Sequence, residues 1–375
     1  MIESLSGSMG LLAADPLFWM PLVLSAVVVL LLIGLVLFDG FELGVGLLLP
    51  LIGDDQRSRL MDALAPWRGA NESWLLLVLG LSMAAFPFAW SQLFANLYTA
   101  LMLLVLGAVL RSVAYEFRAR APMREHAFWQ YLFTLGSLFG AVGFGLLLAG
   151  YVTGQRLHGA LFGFASLVTL AVLASFLLLG ATWTLLWAQG ALRVRASRLA
   201  KAAARWTAAG MVAVAFVLGL TSPAVFYRWT HGDNLWVAVT GWVVMLSVFV
   251  ILEIQFRHIA RGRFERVLRS PLVLALVVLT LMILALTYSF FPFLILDELT
   301  IWDATASANS LLLVMAATVV ALPVLLIFNV LGYWRLFARR RAQVAVQTSA
   351  QGSEQSAKQT PAQNPAKEPT GAPSV

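Results

Sequence analysis

Long uncharged stretches, separated by short charged segments, dominate this chain. They lie at roughly 18–38, 74–91, 97–115, 128–150, 160–187, 203–223, 235–256, 271–293 and 309–334. About 20 apolar residues in a helix cross a hydrocarbon core about 30 Å thick. The stretches lack the two-residue alternation of a barrel strand, and lipid offers no water to backbone groups. The pattern predicts an all-α polytopic membrane protein with nine transmembrane helices.

The second and third of these spans are the least separated. Ser73 to Leu110 contains no charged residue, and one straight helix of that length would measure about 57 Å at 1.5 Å per residue. That exceeds a single crossing. Pro87 and the polar stretch Ser91–Asn96 favour a tight turn. We therefore predict two spans here, which also keeps the charge pattern of the later loops in phase.

Basic residues alternate along the chain. Twenty-one of the 25 Lys and Arg lie in every second segment between the stretches, Arg111 among them, while residues 1–17 have none. Cytoplasmic loops collect Lys and Arg. The alternation predicts a multi-pass protein of the bacterial inner membrane, with a periplasmic leader at 1–17 and a cytoplasmic C-terminus.

Composition fits this picture. Apolar residues make up 61% of the chain and charged residues 11%, with a net charge of +7. In a soluble chain that charge would suggest a nucleic acid partner, but here it lies on one face of a membrane and favours anionic lipid. Residues 342–375 are rich in Gln, Ala, Ser and Pro and lack aromatics, which predicts a disordered cytoplasmic tail.

Few ionisable residues fall near the predicted spans. Asp39 and Glu42 come directly after the first span and alternate with Gly40, Gly44 and Gly46. Such a glycine run is expected to unwind the helix and turn the carboxylates toward a cavity, as a proton relay or a polar contact to a partner. The alternative is an ordinary helix end whose carboxylates face the cytoplasm.

Other polar residues limit the classes of function that remain open. Glu253 and Arg257 are spaced for a local ion pair. The four histidines lie in predicted loops or at span ends, and the chain has no cysteine, so it is predicted to bind no haem or metal of its own. Two classes remain open: a subunit of a respiratory or other membrane complex, and a secondary transporter of a small solute.

Several short motifs occur together in one order. They are Asp39-Gly-Phe-Glu-Leu-Gly-Val-Gly46, Asn71-Glu-Ser-Trp74, the segment Arg111–Arg118, Gly180-Ala-Thr182, and Trp302-Asp303 within the last outer loop. Jointly, over about residues 20–340, they resemble subunit II of the cytochrome bd-type quinol oxidases.

This resemblance implies a fold and a role. The fold would be two four-helix bundles plus one peripheral helix, occupying residues 18–341. The complex would oxidise quinol, reduce dioxygen to water and generate a proton gradient. Haems b and d, or b alone, would belong to a partner subunit I, and this chain would carry no catalytic haem ligand. Small accessory subunits and a bound quinone are compatible with the family.

The resemblance also implies roles for individual residues. The family's second motif usually carries an aspartate where this chain has Gly69, beside Arg68. Either Glu72 and Glu42 substitute for that acid, or the protons pass through subunit I. Trp74 is expected either to anchor a span end or to line a route toward the haem subunit. Asp303 is expected to accept hydrogen bonds from nearby backbone amides and so to stabilise its loop.

The candidate site residues fall into two groups. The candidates for a proton path or subunit interface are Asp39, Glu42, Asn71, Glu72 and Trp74, and those for a structural motif are Gly40, Gly44, Gly46, Arg111, Trp302 and Asp303.

Overall fold

The structure, a computed structural model, describes residues 15–64, 68–154, 159–186, 188, 190–232, 234–261 and 269–331. Eight helices of this part are long and apolar enough to cross a membrane. They are Pro16–Leu51, Pro87–Arg120, Met123–Val152, Leu161–Leu185, Gly190–Thr221, Asn234–Ala260, Ser270–Phe290 and Ala308–Leu331. The predicted all-α polytopic membrane protein is confirmed. The tail 342–375 and most of the leader 1–17 lie outside the described residues.

In chain order, the α-helices are α1 Pro16–Gly34, α2 Gly40–Leu48, α3 Asp54–Leu64, α4 Arg68–Ala85, α5 Pro87–Arg120, α6 His126–Val152, α7 Ala160–Leu185, α8 Gly190–Thr221, α9 Pro223–Thr230, α10 Asn234–Ala260, α11 Ser270–Phe290 and α12 Ala308–Leu331. A short antiparallel hairpin, β1 Phe293–Ile295 and β2 Leu299–Thr300, precedes α12.

The predicted second span corresponds to α4, whose apolar part, Ser73–Ala85, is shorter than the eight long helices. The predicted break is found at Pro87, since the preceding residue Phe86 is non-helical, but Ser91–Asn96, which was expected to share the turn, is helical. Phe86 has φ −127° and ψ 58°, and Pro87 opens α5. Proline has no N–H to donate and suits the first position of a helix. Directly after the stretch Ser91–Asn96, Leu97 has non-helical backbone angles inside α5.

The glycine-rich run after the first span does not unwind the helix. A π-helical turn at Leu35–Asp39 joins α1 to α2, so helix continues to Leu48 and a 3₁₀ turn completes it at Leu51. The first helix therefore extends well past the predicted end at residue 38. After Glu42 this helix has nine further residues, about 14 Å at 1.5 Å per residue.

Contacts between the helices group them into two bundles. The α1–α2 helix, α4, α5 and α6 form a first bundle, and α7, α8, α10 and α11 form a second. Both α2 and α6 pack on α7 and so join the bundles. Leu311, near the start of α12, belongs to an apolar cluster with Met20 and Leu24 of α1 and Ile295 of the hairpin. The chain divides into the compact units Met1–Leu322 and Pro323–Val375, and the described residues of the second, 323–331, are helical.

Candidate functional site

A buried ion pair joins the first helix to α5. Arg111 donates from Nη1 to Oδ1 of Asp39 at 2.8 Å and from Nη2 to Oδ2 at 2.9 Å. Asp39 is 4% exposed and Arg111 6%. Such a two-pronged guanidinium–carboxylate contact is among the strongest hydrogen-bonded pairs in proteins. Asp39 thus does not face the cytoplasm from a helix end, and Arg111 is not a loop residue as the charge count assumed.

Glu42 and Asn71 also belong to this group, which we call the buried quartet: Asp39, Glu42, Asn71 and Arg111. Arg111 Nη1 lies 3.4 Å from Oε1 of Glu42, and Asn71 Nδ2 donates to Oε2 at 3.4 Å. Glu42 is 1% exposed and Asn71 0%. The quartet brings two carboxylates and one guanidinium together, so its formal charge is −1 when both acids are ionised.

Local helix geometry explains how Asp39 and Glu42 meet one arginine. Residues three apart lie on the same helix face. A π turn contains one residue more than an α turn and rotates the helix C-terminal to it, and such turns are frequent at functional sites. Here Asp39 closes the π turn and Glu42 lies in the first turn of α2. Both side chains can therefore reach Arg111.

Trp74 packs deep in the first bundle. It is 6% exposed, and its ring stacks on Phe38 with centroids 5.3 Å apart. A Cβ added to Gly34 would lie 2.3 Å from this ring, so glycine is what lets the indole approach. This burial contradicts a role as an anchor at the headgroup level. The side chains of Glu72 and Arg68 lie outside the described part of the structure.

The signature glycines allow close helix contact. A Cβ on Gly44 would meet the carbonyl oxygen of Phe176 at 1.8 Å and the amide of Gly180 at 2.6 Å. One on Gly40 would approach the ring of Phe176, and one on Gly46 would lie 2.0 Å from the hydroxyl of Ser137. Small residues of this kind let membrane helices pack backbone to backbone. They hold the helix that carries Asp39 and Glu42 against α6 and α7.

The last outer loop is tied to the first helix. Trp302 stacks on Phe18 at 5.3 Å between centroids and donates from Nε1 to its carbonyl oxygen at 3.0 Å. Asp303 Oδ2 accepts hydrogen bonds from the amide of Thr300 at 3.3 Å and from its hydroxyl at 2.5 Å. Nearby, Arg228 donates to the carbonyl oxygens of Tyr288 and Phe291. Burial lowers the pKa of Arg228 from its ordinary value.

A second charged group lies between α8 and α10. Glu253 contacts Arg257, at the spacing expected for a local ion pair, and also Lys201 and Arg205 of α8. Sequence reasoning missed the two α8 partners, because nothing in a linear pattern pairs residues about 50 positions apart. It likewise missed that Arg111 pairs with Asp39. The sequence did contain one indication that Arg111 lies near the membrane interior. It is the first charged residue after the uncharged run that ends at Leu110.

Metal and haem ligands are not assembled among the described residues. No group of three or more His, Asp or Glu is arranged there to hold a metal ion. His126 begins α6, His231 comes directly after α9, and His258 lies in the last turn of α10. These helix-end positions do not fit the axial ligation of a haem within a bundle. His158 lies outside the described residues.

Most of the chain matches a known family. The model of the family described as cytochrome bd terminal oxidase subunit II matches residues 20–336. This chain belongs to that family. The predicted recognition is confirmed, and the match covers both bundles and the buried quartet.

Relatives of the cytochrome bd subunit II family support this membership. The chain is 26% identical to cytochrome bd-I ubiquinol oxidase subunit 2 of Escherichia coli (strain K12) over 82% of its length and 92% of that protein. It is 27% identical to a probable cytochrome oxidase subunit 2 of Haemophilus influenzae, over 83% and 93%. The solved bd oxidase of Geobacillus thermodenitrificans has the same fold, with TM-score 0.66 at 18% identity, covering 85% of this chain and 98% of that one.

Family membership settles the class of function. The chain is a subunit of a bd-type terminal quinol oxidase, an oxidoreductase complex of the respiratory chain, and has a partner subunit I. In this family the haems lie in that partner. The transporter alternative is not supported.

Proposed function

We propose that this chain is the non-haem subunit that supports the haem-bearing subunit I, and that Glu42 takes up protons for dioxygen reduction. The observation that carries the proposal is the buried quartet, in which two carboxylates share one guanidinium. Burying a net charge is costly unless it is neutralised. Binding one proton brings the quartet to zero charge, which gives the group a chemical reason to accept a proton.

Glu42 is the better acceptor of the two acids. Asp39 accepts two short hydrogen bonds from Arg111, at 2.8 and 2.9 Å, in a two-pronged contact that engages both of its carboxylate oxygens. The contacts of Glu42 with Arg111 and Asn71 are longer, at 3.4 Å each. Asp39 and Arg111 are thus suited to a fixed ion pair, beside which Glu42 gains and loses a proton.

The remaining features of the complex rest on the family and the charge pattern. Quinol would supply electrons, and haems b and d, or b alone, would reduce dioxygen to water in subunit I. The N-terminus and the leader 1–17 would lie in the periplasm and the tail 342–375 in the cytoplasm, since basic segments collect on the cytoplasmic side. Protons would reach Glu42 from the basic side, with Glu72 as a second acid. Membrane lipid, small accessory subunits and a bound quinone would complete the assembly.

Glutamine at position 42 tests this role in the purified heterodimer. Glu42→Gln keeps the volume and a hydrogen-bonding side chain but cannot carry a proton. We expect quinol-driven oxygen consumption to fall by roughly tenfold or more, because a positioned proton-transfer group commonly contributes 10²–10⁴-fold. The haem absorbance spectrum should not change. Glu116→Gln, at an exposed ion pair on α5, is the matched control and should retain full turnover.

A double variant tests whether Glu72 acts in the same proton path as Glu42. If Glu42 and Glu72 act in one path, Glu42→Gln combined with Glu72→Gln should be no faster than Glu42→Gln alone. Full turnover of the double variant with an intact haem spectrum would overturn the proton-uptake proposal.

A further inference from the structure

An excess of positive charge lies where the apolar parts of α8 and α10 begin. Lys201, Arg205 and Arg257 surround the single carboxylate of Glu253, with nitrogen–oxygen distances of 3.3, 2.5 and 3.0 Å. Three cations and one anion leave a formal charge of +2. We call these four residues the basic cluster. Like charges held this close repel, so the cluster is electrostatically complementary to a further anion.

The basic cluster is fixed in position and accessible. The hydroxyl of Ser197 on α8 donates to the carbonyl oxygen of Phe256 on α10 at 3.0 Å, which joins the two helices at this level. The side chains of Arg205 and Arg257 are 61% and 54% exposed. Beyond Arg205 the chain is uncharged to Thr221, and before Glu253 it is uncharged from Leu235. The cluster therefore lies at the boundary between the polar and the hydrocarbon level of these two helices.

Exposed apolar side chains continue from the cluster along the same helix faces. Residues seven apart share one face of an α-helix. Val212 lies seven residues after Arg205, and Leu246 seven before Glu253, and both are exposed. Phe216, four residues beyond Val212, and Val250, between Leu246 and Glu253, are also exposed. On each of the two helices, the exposed face thus has a member of the basic cluster at its polar end and exposed apolar side chains further along.

We propose that the basic cluster and this apolar face bind one anionic phospholipid, with the phosphate at Lys201, Arg205 and Arg257 and an acyl chain along Val212 and Leu246. Charge complementarity selects the anionic headgroup, and the apolar face selects an amphiphile over a free anion. Basic pockets between membrane helices recognise lipid phosphates in this way. The inference is independent of the role proposed for Glu42.

Native mass spectrometry of the detergent-solubilised heterodimer tests the site. The complex is titrated with phosphatidylglycerol, with phosphatidylcholine, and with inorganic phosphate. We expect one saturable phosphatidylglycerol adduct, weaker phosphatidylcholine binding, and no displacement of the adduct by inorganic phosphate at equal concentration. Equal binding of the two lipids, or displacement by inorganic phosphate, would overturn the proposal.

Three variants are expected to weaken, strengthen and leave unchanged the binding of phosphatidylglycerol. Lys201→Gln with Arg205→Gln should weaken phosphatidylglycerol binding roughly 25-fold, since each basic residue near an anionic surface changes affinity about fivefold. Glu253→Gln removes the competing carboxylate and should strengthen binding severalfold, whereas a purely structural ion-pair cluster predicts no gain. Arg120→Gln, at an exposed ion pair elsewhere, should leave binding unchanged. An intact haem spectrum verifies assembly. Binding equal to wild type in the double variant, or no gain in Glu253→Gln, would refute the site.

Discussion

The two bundles of this subunit use charged residues in opposite ways. In the first bundle, Asp39 and Glu42 share Arg111 inside the protein, with an excess of negative charge. In the second, Glu253 is surrounded by three cations at an accessible edge, with an excess of positive charge. The same residue types therefore have different consequences. Burial makes the first group costly to disturb, whereas exposure leaves the second accessible from outside the protein.

The two bundles also differ in how closely their helices pack. Around the buried quartet, Gly44 and Gly180 bring two backbones into contact. The second bundle instead has an open cavity of about 410 Å³ lined by apolar side chains such as Val214 and Met245. Close contact fixes the geometry that charged partners require, and an apolar region without such partners tolerates open space. The comparison predicts that equivalent substitutions will have unequal effects in the two bundles.

The largest effect is expected at Arg111. Arg111→Ala leaves Asp39 and Glu42 buried without their cation, and breaking a buried pair typically costs about 3–5 kcal/mol. We expect the purified heterodimer to lose stability by about this amount or to fail to assemble. Thermal denaturation followed by haem absorbance, with the yield of the complex, measures both.

Two further variants sharpen the Arg111 result. Arg111→Lys keeps the charge but cannot form the two-pronged contact, so its stability should fall between Arg111→Ala and wild type. Arg120→Ala, at an exposed pair on the same helix, should cost less than about 1 kcal/mol. Equal melting temperatures for Arg111→Ala and Arg120→Ala would refute the contrast between buried and exposed charge.

A moderate effect is expected for Gly44→Ala. The added methyl group would lie 1.8 Å from the carbonyl oxygen of Phe176, so α2 and α7 must move apart. Overpacking of this kind costs about 1–3 kcal/mol. Gly241→Ala is the matched control in the second bundle, because a Cβ there meets nothing within 4 Å and Gly241 lines the cavity. Melting of both variants should show a loss for Gly44→Ala alone, and comparable losses would contradict the proposed difference in packing.

The smallest effect is expected for Arg257→Gln. Lys201 and Arg205 still contact Glu253 after the change, and exposed ion pairs contribute less than about 1 kcal/mol. The melting temperature of the complex should therefore stay within a few degrees of wild type. A loss as large as that of Arg111→Ala would mean that the basic cluster, rather than the buried quartet, holds the bundles in place.

The periodicity of apolar residues predicted most of the helices, because lipid permits little else for such stretches. It failed at the first helix, where glycine was expected to unwind the chain. Gly44 and Gly46 instead lie in regular helix, since packing against α6 and α7 compensates for the low helix propensity of glycine. The turn before α5 was predicted correctly at Pro87 but was drawn too wide, because the residues Ser91–Asn96 remain helical.

The candidate site was predicted in part. Asp39, Glu42 and Asn71 were singled out in the sequence, and the structure brings them together with Arg111. Trp74 was expected at a membrane surface or beside a route to the haem subunit. It is buried against Gly34, a contact that no linear pattern in the sequence reveals. Asp303 and Trp302 lie in the hairpin region tied to Thr300 and Phe18.

By itself, the sequence determined that this chain crosses a membrane several times as helices, and its short motifs identified the oxidase family. Those properties depend on local composition and on residues adjacent in the chain. The tertiary structure decided which charges neutralise one another, since Asp39 and Arg111 are 72 positions apart. It also decided which charges stay accessible, because the exposure of a side chain depends on the helices packed around it.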